Sequence, residues 1–218
     1  KNALIERAAG HWLLIVNSDV ALSFALGAAV GSVIRSGPSA GMFVRADRLD
    51  VRYRDDEGLP DRVDLRDAVG RASVLHRRHG DQAHIAPSAP VQGLSSVEMA
   101  ALASCPRPLD VDFGPSFLCL DTSGPVKGLH TNASGDFCLA PTDLWRSSGG
   151  FAPTSIGYGH GDSLMIATLA AHGARQVVLR FPLFVVHVEH DDRDAPTKYG
   201  SFSRVEAEFN ALLDGYQP

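Results

Sequence analysis

Trp12-Leu13-Leu14-Ile15-Val16-Asn17-Ser18-Asp19 is the stretch on which the reading of the fold turns. An apolar run without alternation reads as a strand buried on both faces, which is the habit of parallel sheets. Ahead of it, residues Ala3 to Ala9 place Leu4, Ile5 and Ala8 at helical spacing, and Gly10 stands where a helix favours its C′ residue. Helix, break, buried strand and polar triplet together predict an α/β domain whose sheet is parallel at this strand. Ligands of such sheets collect beyond the carboxyl ends of the strands. Asn17 and Asp19 would then stand at the mouth of a crevice, with Asp19 free to hold a cation. The plainer reading is a strand end capped by polar residues, because short motifs often match by chance.

A length of 218 residues fits one domain with a real core, so residues 1–218 are read as a single unit. A hydrophobic share of 44% against 21% charged residues excludes a disordered chain. The formal net charge of −5, with no basic stripe, gives no reason to expect nucleic acid as a partner. No apolar run approaches a membrane span, and no signal sequence opens the chain. Cys105, Cys119 and Cys138 lack metal-ligand spacing and read as reduced thiols, which fits a cytoplasmic protein.

Further along, residues 24–33 read as an alanine-rich helix that Ser23 could cap, and 41–46 as a strand. Residues 52–94, dense in charge and then in Pro and Ser, read as a long irregular insertion of the kind that carries specificity. Ser95-Ser96-Val97-Glu98 supplies a capping box, and Leu109, Val111 and Phe113 alternate as a half-buried strand. A short strand is expected at 137–140, and a brief helix from Asp143 ended by Gly149-Gly150. A helix is expected at 162–172, stopped by Gly173. Strands at 176–181 and 183–186 and a last helix opened by Ser203-x-x-Glu206 complete the predicted elements.

These pieces carry a likeness. The chain resembles a glycosyltransferase of the GT-A fold, close to the large family-2 type, which implies an α/β domain with a mixed, mostly parallel sheet flanked by helices. The residues that carry it are Lys1-Asn2, then Gly10 with the strand into Asn17-Ser18-Asp19, Gly135-Asp136-Phe137, Gly149-Gly150-Phe151, Gly159-His160-Gly161-Asp162 and His187-Val188-Glu189-His190. More narrowly it looks like a bacterial subgroup linked to surface polysaccharide synthesis. Asp47-Arg48-Leu49-Asp50-Val51 and Asn132-Ala133-Ser134-Gly135-Asp136-Phe137 match two stretches of that subgroup. Asn17 departs from the usual pattern, which has an acid there, and Gly161 stands where a glutamate often precedes the helix-opening Asp. The family's nucleobase-binding units, which precede this region, have no counterpart here. The chain is therefore expected to be the later part of a longer protein or a shortened member.

The resemblance implies transfer of a hexose from a nucleotide-diphosphate sugar to a saccharide or lipid-linked acceptor, and inversion is expected because the sequence offers a candidate base and no evident nucleophile. It implies a cytoplasmic, membrane-peripheral setting. Charge on the leaving diphosphate would be neutralised by a divalent cation, Mn²⁺ or Mg²⁺, held by hard ligands. Asp19 would be the principal ligand, with His187 or His190 completing the shell. A carboxylate must take the proton of the attacking hydroxyl; Asp162 is the first candidate and Asp136 the second, the latter more suited to binding hydroxyls. Lys1 and Asn2 resemble residues that approach the nucleotide. Asp47, Arg48 and Asp50 read either as donor-sugar contacts or as a surface salt-bridge patch. Two other functions fit parts of the sequence: a non-catalytic, carbohydrate-binding or scaffolding remnant of this fold, and a metal-dependent hydrolase using Asp19, His187 and His190.

Overall fold

The computed structural model describes residues 1–22, 24–35, 41–51, 72–76, 82–84, 118–120, 129, 135–151, 161–188 and 203–214. Among them are five helices, α1 (Asn2–Arg7), α2 (Phe24–Arg35), α3 (Thr142–Ser147), α4 (Gly161–Ala171) and α5 (Ser203–Leu212). The strands are β1 (Trp12–Ile15), β2 (Val20–Leu22), β3 (Met42–Val51), β4 (Ala72–His76), β5 (Gln82–His84), β6 (Leu118–Leu120), β7 (Cys138–Pro141) and β8 (Arg175–Val188). The strands form one mixed sheet of eight strands.

Long β3 is its spine. One edge of β3 pairs in parallel with β8 over Met42 to Val51. The other edge is shared, by β7 at Val44 and Arg45 and by β4 from Arg48 onward, both antiparallel. β1 pairs antiparallel with β7, Ile15 opposite Cys138, while β2 and β6 pair antiparallel with β8. The expectation of a mostly parallel sheet is thus corrected: among the described pairings only β3 with β8 is parallel. An apolar run reports that both faces of a strand are covered and says nothing about the direction of its neighbour. Yet β1, β3 and β8 do run the same way, because β7 is wedged between β1 and β3 in the opposite sense. Their carboxyl ends therefore open on a common edge, where the site lies.

The sheet separates two apolar layers. Leu13 and Ile15 of β1, Phe43 of β3 and Cys138 and Ala140 of β7 face a core filled by α4 and Trp145. Trp12, Leu14, Val44, Ala46, Phe137 and Leu139 face the other, closed by Leu26, Ala29 and Val33 of α2. Period-two side chains with both faces covered explain the continuous apolar lettering of β1.

Several boundaries differ from expectation. Helix α1 stops at Arg7, with Ala8 extended at φ −63° and ψ 129°, so Gly10 is not its C′ residue. The Arg146 guanidinium does the capping instead, donating to the carbonyls of Glu6 and Ala8. Leu4, placed on the buried face by spacing, is exposed, while Ile5 is buried. The stretch 52–94 contributes β4 and β5 to the sheet, and its remainder lies outside the described residues, as do the capping box at 95–98, the strand at 109–113 and the glycine and histidine at 159 and 160. Gly149 and Gly150 end α3 with positive φ, and Gly173 does the same after α4, as their placement predicts.

Candidate functional site

At the common edge the chain leaves β1 into Asn17 and Asp19, and β7 begins just after Asp136. Pairing of Ile15 with Cys138 brings Asn17 beside Asp136, and the Asn17 Nδ2 donates to Asp136 Oδ1 at 2.8 Å. This contact fixes the amide's orientation and turns Oδ1 outward, toward Lys1 Nζ at 3.4 Å. Lys1 Nζ also lies 3.4 Å from Asp162 Oδ1 at the start of α4. Gly135 makes the convergence possible: a Cβ there would stand 2.2 Å from Asp162 Oδ2 and 3.0 Å from Asn17 Nδ2. The segment before α1, the end of β1, the turn before β7 and the start of α4 thus meet at one point.

A second set joins it from β3 and β8. Arg48 donates through Nη1 to Asp136 Oδ2 at 2.8 Å and sets Nε 2.8 Å from Asp50 Oδ1. Asp50 Oδ1 lies 3.0 Å from His187 Nδ1, and His187 Nε2 lies 3.3 Å from Asp19 Oδ2. The register explains the meeting, since β3 sets Asp50 opposite His187 and β2 sets Val20, next to Asp19, opposite the same residue. One continuous chain of polar contacts therefore runs Asp162, Lys1, Asn17, Asp136, Arg48, Asp50, His187, Asp19.

Burial sets the electrostatics. Loss of water works against the charge on His187, but the bond to Asp50 and the nearby Asp50 and Asp136 carboxylates outweigh it and hold its pKa above the ordinary value. Arg48 behaves alike: burial opposes its charge, and Asp50 with Asp136 more than restores it. Arg45 is fully buried, and desolvation lowers its pKa despite Cys138, Asp136, Asp162 and Asp47 nearby. It donates to the carbonyl of Phe137. Burial pushes the Cys138 thiol up to about 12, which makes it an inert core residue at neutral pH.

The sequence candidates take distinct places. Asp162 is on the rim with about a third of its side chain exposed. Asp136 is buried, and both its oxygens are engaged, by Asn17 and by Arg48; it aims those two side chains. Asn2 Nδ2 donates to the Phe151 carbonyl at 2.8 Å, while its Oδ1 accepts from the Phe151 N–H at 2.9 Å. Asn2 thus fastens the turn after α3 to the start of α1. Asp47 and Asp50 are buried within β3, so a surface salt-bridge patch is excluded for them. Buried Arg45 was missed by the sequence reading; an arginine inside an apolar strand, Met-Phe-Val-Arg-Ala, was the available signal.

Asp19 and His187 are the described side chains suited to a divalent cation. Asp50 behind His187 fixes the ring as carboxylates do behind metal-bound histidines. No group of three such ligands collects among the described residues, and His190 lies outside them. No described helix is long and apolar enough to cross a membrane. No protein-family model, no curated protein and no solved structure matches this chain.

Proposed function

We propose that the chain is a glycosyltransferase domain of the GT-A type, moving a hexose from a nucleotide-diphosphate sugar to a saccharide or lipid-linked acceptor with inversion. The observation that carries this reading is the convergence of Lys1, Asn17, Asp136 and Asp162 around Gly135, from four separate parts of the chain. Its position beyond the carboxyl ends of β1, β3 and β8 suits an α/β ligand crevice.

Each residue then has a task. Asp162, on the rim, accepts the proton of the acceptor hydroxyl as its oxygen bonds to the anomeric carbon. The bond from that carbon to the diphosphate breaks, and the nucleoside diphosphate leaves with the electron pair. Asn17 offers its carbonyl oxygen to a donor hydroxyl, held in that sense by Asp136. Arg48 and Asp50 hold Asp136 and His187 in place. Asp19 and His187 would hold a divalent cation, which when bound neutralises charge on the leaving diphosphate.

Calorimetric titration with UDP, GDP and their hexose conjugates, with and without Mn²⁺, tests the reading together with product analysis. Saturable binding that is lost in Asp19→Ala, and formation of a glycoside, are the expected results. Carbohydrate binding without any nucleotide binding would replace it with the scaffolding remnant.

A further inference from the structure

Arg48 and Lys1 are held differently by the carboxylates of the site. Arg48 contacts Asp50 and Asp136 at 2.8 Å each, with its side chain 20% exposed. Lys1 is 41% exposed, and its Nζ stands 3.4 Å from Asp162 Oδ1 and 3.4 Å from Asn17 Oδ1. Those distances exceed the usual length of a charge-assisted bond, and an exposed pair of this kind adds little net stability. The base of the Lys1 side chain is nevertheless anchored. Asn2, its neighbour, is clamped to the Phe151 backbone by two hydrogen bonds, and Phe151 stacks on buried Trp145 with ring centroids 6.3 Å apart. The ammonium sits 4.7 Å from the centre of the Phe151 ring. An anchored stem with a loosely held tip suits a charge that changes partners.

We propose that Lys1 is a shared counterion, which pairs with Asp162 and passes to the donor's diphosphate when that anion binds. The exchange takes the Lys1 charge away from Asp162 at the moment a donor is present, while buried Arg45 stays nearby. Asp162 itself stays in position, because its carboxylate is seated against the Gly135 backbone in the space a Cβ would fill. The base is then free to accept the acceptor's proton only after the donor has entered, which gives an ordered reaction. This inference rests on the glycosyl-transfer reading and adds the coupling between donor binding and the base.

Two anions competing for one cation must be linked energetically, and a double-mutant cycle measures that link. The probe is inorganic pyrophosphate, titrated calorimetrically into the whole chain without divalent cations. The proteins are the unaltered chain, Lys1→Met, Asp162→Asn and the double variant, with matching thermal melts. Lys1→Met is expected to weaken binding about tenfold, the value of a charged hydrogen bond. Asp162→Asn is expected to tighten it about threefold to tenfold, and that gain should fall below about twofold in the Lys1→Met background. An equal gain in both backgrounds would mean that Asp162 acts only as a distant charge, and it would overturn the exchange while leaving the glycosyl-transfer reading intact. Unchanged pyrophosphate binding by Lys1→Met would overturn it as well. Failure of the unaltered chain to bind pyrophosphate or any nucleoside diphosphate would sink both.

Discussion

Arg48 and Lys1 both bridge a carboxylate and a second polar group, yet they belong to differently built halves of one cluster. In the inner half, Arg48, Asp50 and His187 sit on β3 and β8 in one register from Asp47 onward, and Asp136 stands in the turn before β7. The contacts of this half are short and its carboxylates buried. The outer half, Lys1, Asn17 and Asp162, comes from helix starts and a strand exit, and is half open to solvent. Inner groups are dear to remove because each leaves a buried partner uncompensated. Outer groups can change partners at little cost to the fold. The molecule thus keeps precision and responsiveness in adjoining layers.

The contrast can be broken experimentally. Under the proposed glycosyl transfer, Asp162→Asn should have the largest effect, lowering transfer by about 10²–10⁴-fold, the span of a lost general base. Its thermal midpoint should stay near that of the unaltered chain, and a matching loss of stability would move Asp162 into the inner half. Arg48→Met should cost about 3–5 kcal/mol of stability in urea titration, because it strands Asp136 and Asp50. Gly150→Ala should cost about 1–3 kcal/mol through its φ of +67° alone. The added methyl would also meet Asn2 Oδ1 at 2.7 Å and Ile5 Cδ1 at 2.9 Å, so adding Asn2→Ala should recover part of the loss.

The pH dependence sharpens the same comparison. His187 has a folded pKa above its unfolded value of about 6.5. Its contribution to stability is therefore complete below that value and fades as pH rises through the folded pKa. With a chelator present, urea midpoints of the unaltered chain should fall toward those of His187→Gln above neutrality; parallel curves would deny the pairing with Asp50. Smallest of all, Lys1→Met should change stability by no more than about 0.5 kcal/mol.

Helix and turn positions were legible where local chemistry decides them. Gly149-Gly150 and Gly173 punctuate α3 and α4 because only a residue tolerant of positive φ ends them there. Asn17, Asp136 and Asp162 were singled out by the resemblance, and their mutual distances required the tertiary pairing of β1 with β7. Asp47, Arg48 and Asp50 read equally as donor-sugar contacts or as a surface salt-bridge patch, because lettering records charge and not partners. Only β8, arriving in parallel, reveals that His187 meets Asp50. The direction of β7 was hidden for a related reason, as strand pairing is a non-local choice.

The placement of β7 has a consequence for how the molecule is made. Residues Cys138–Pro141 fill the gap between Trp12–Ile15 and Met42–Val51, yet they leave the ribosome long after both neighbours. Until they arrive, β1 and the first half of β3 lack the strand that joins them, and two apolar edges stand available to other chains. Closure then needs β8 (Arg175–Val188) as well, which emerges later still, pairs with the other edge of β3 and sets His187 opposite Asp50. Folding should therefore be slow and governed by late, sequence-distant contacts, and a nascent chain halted before Asp136 should be among the most aggregation-prone forms this protein passes through.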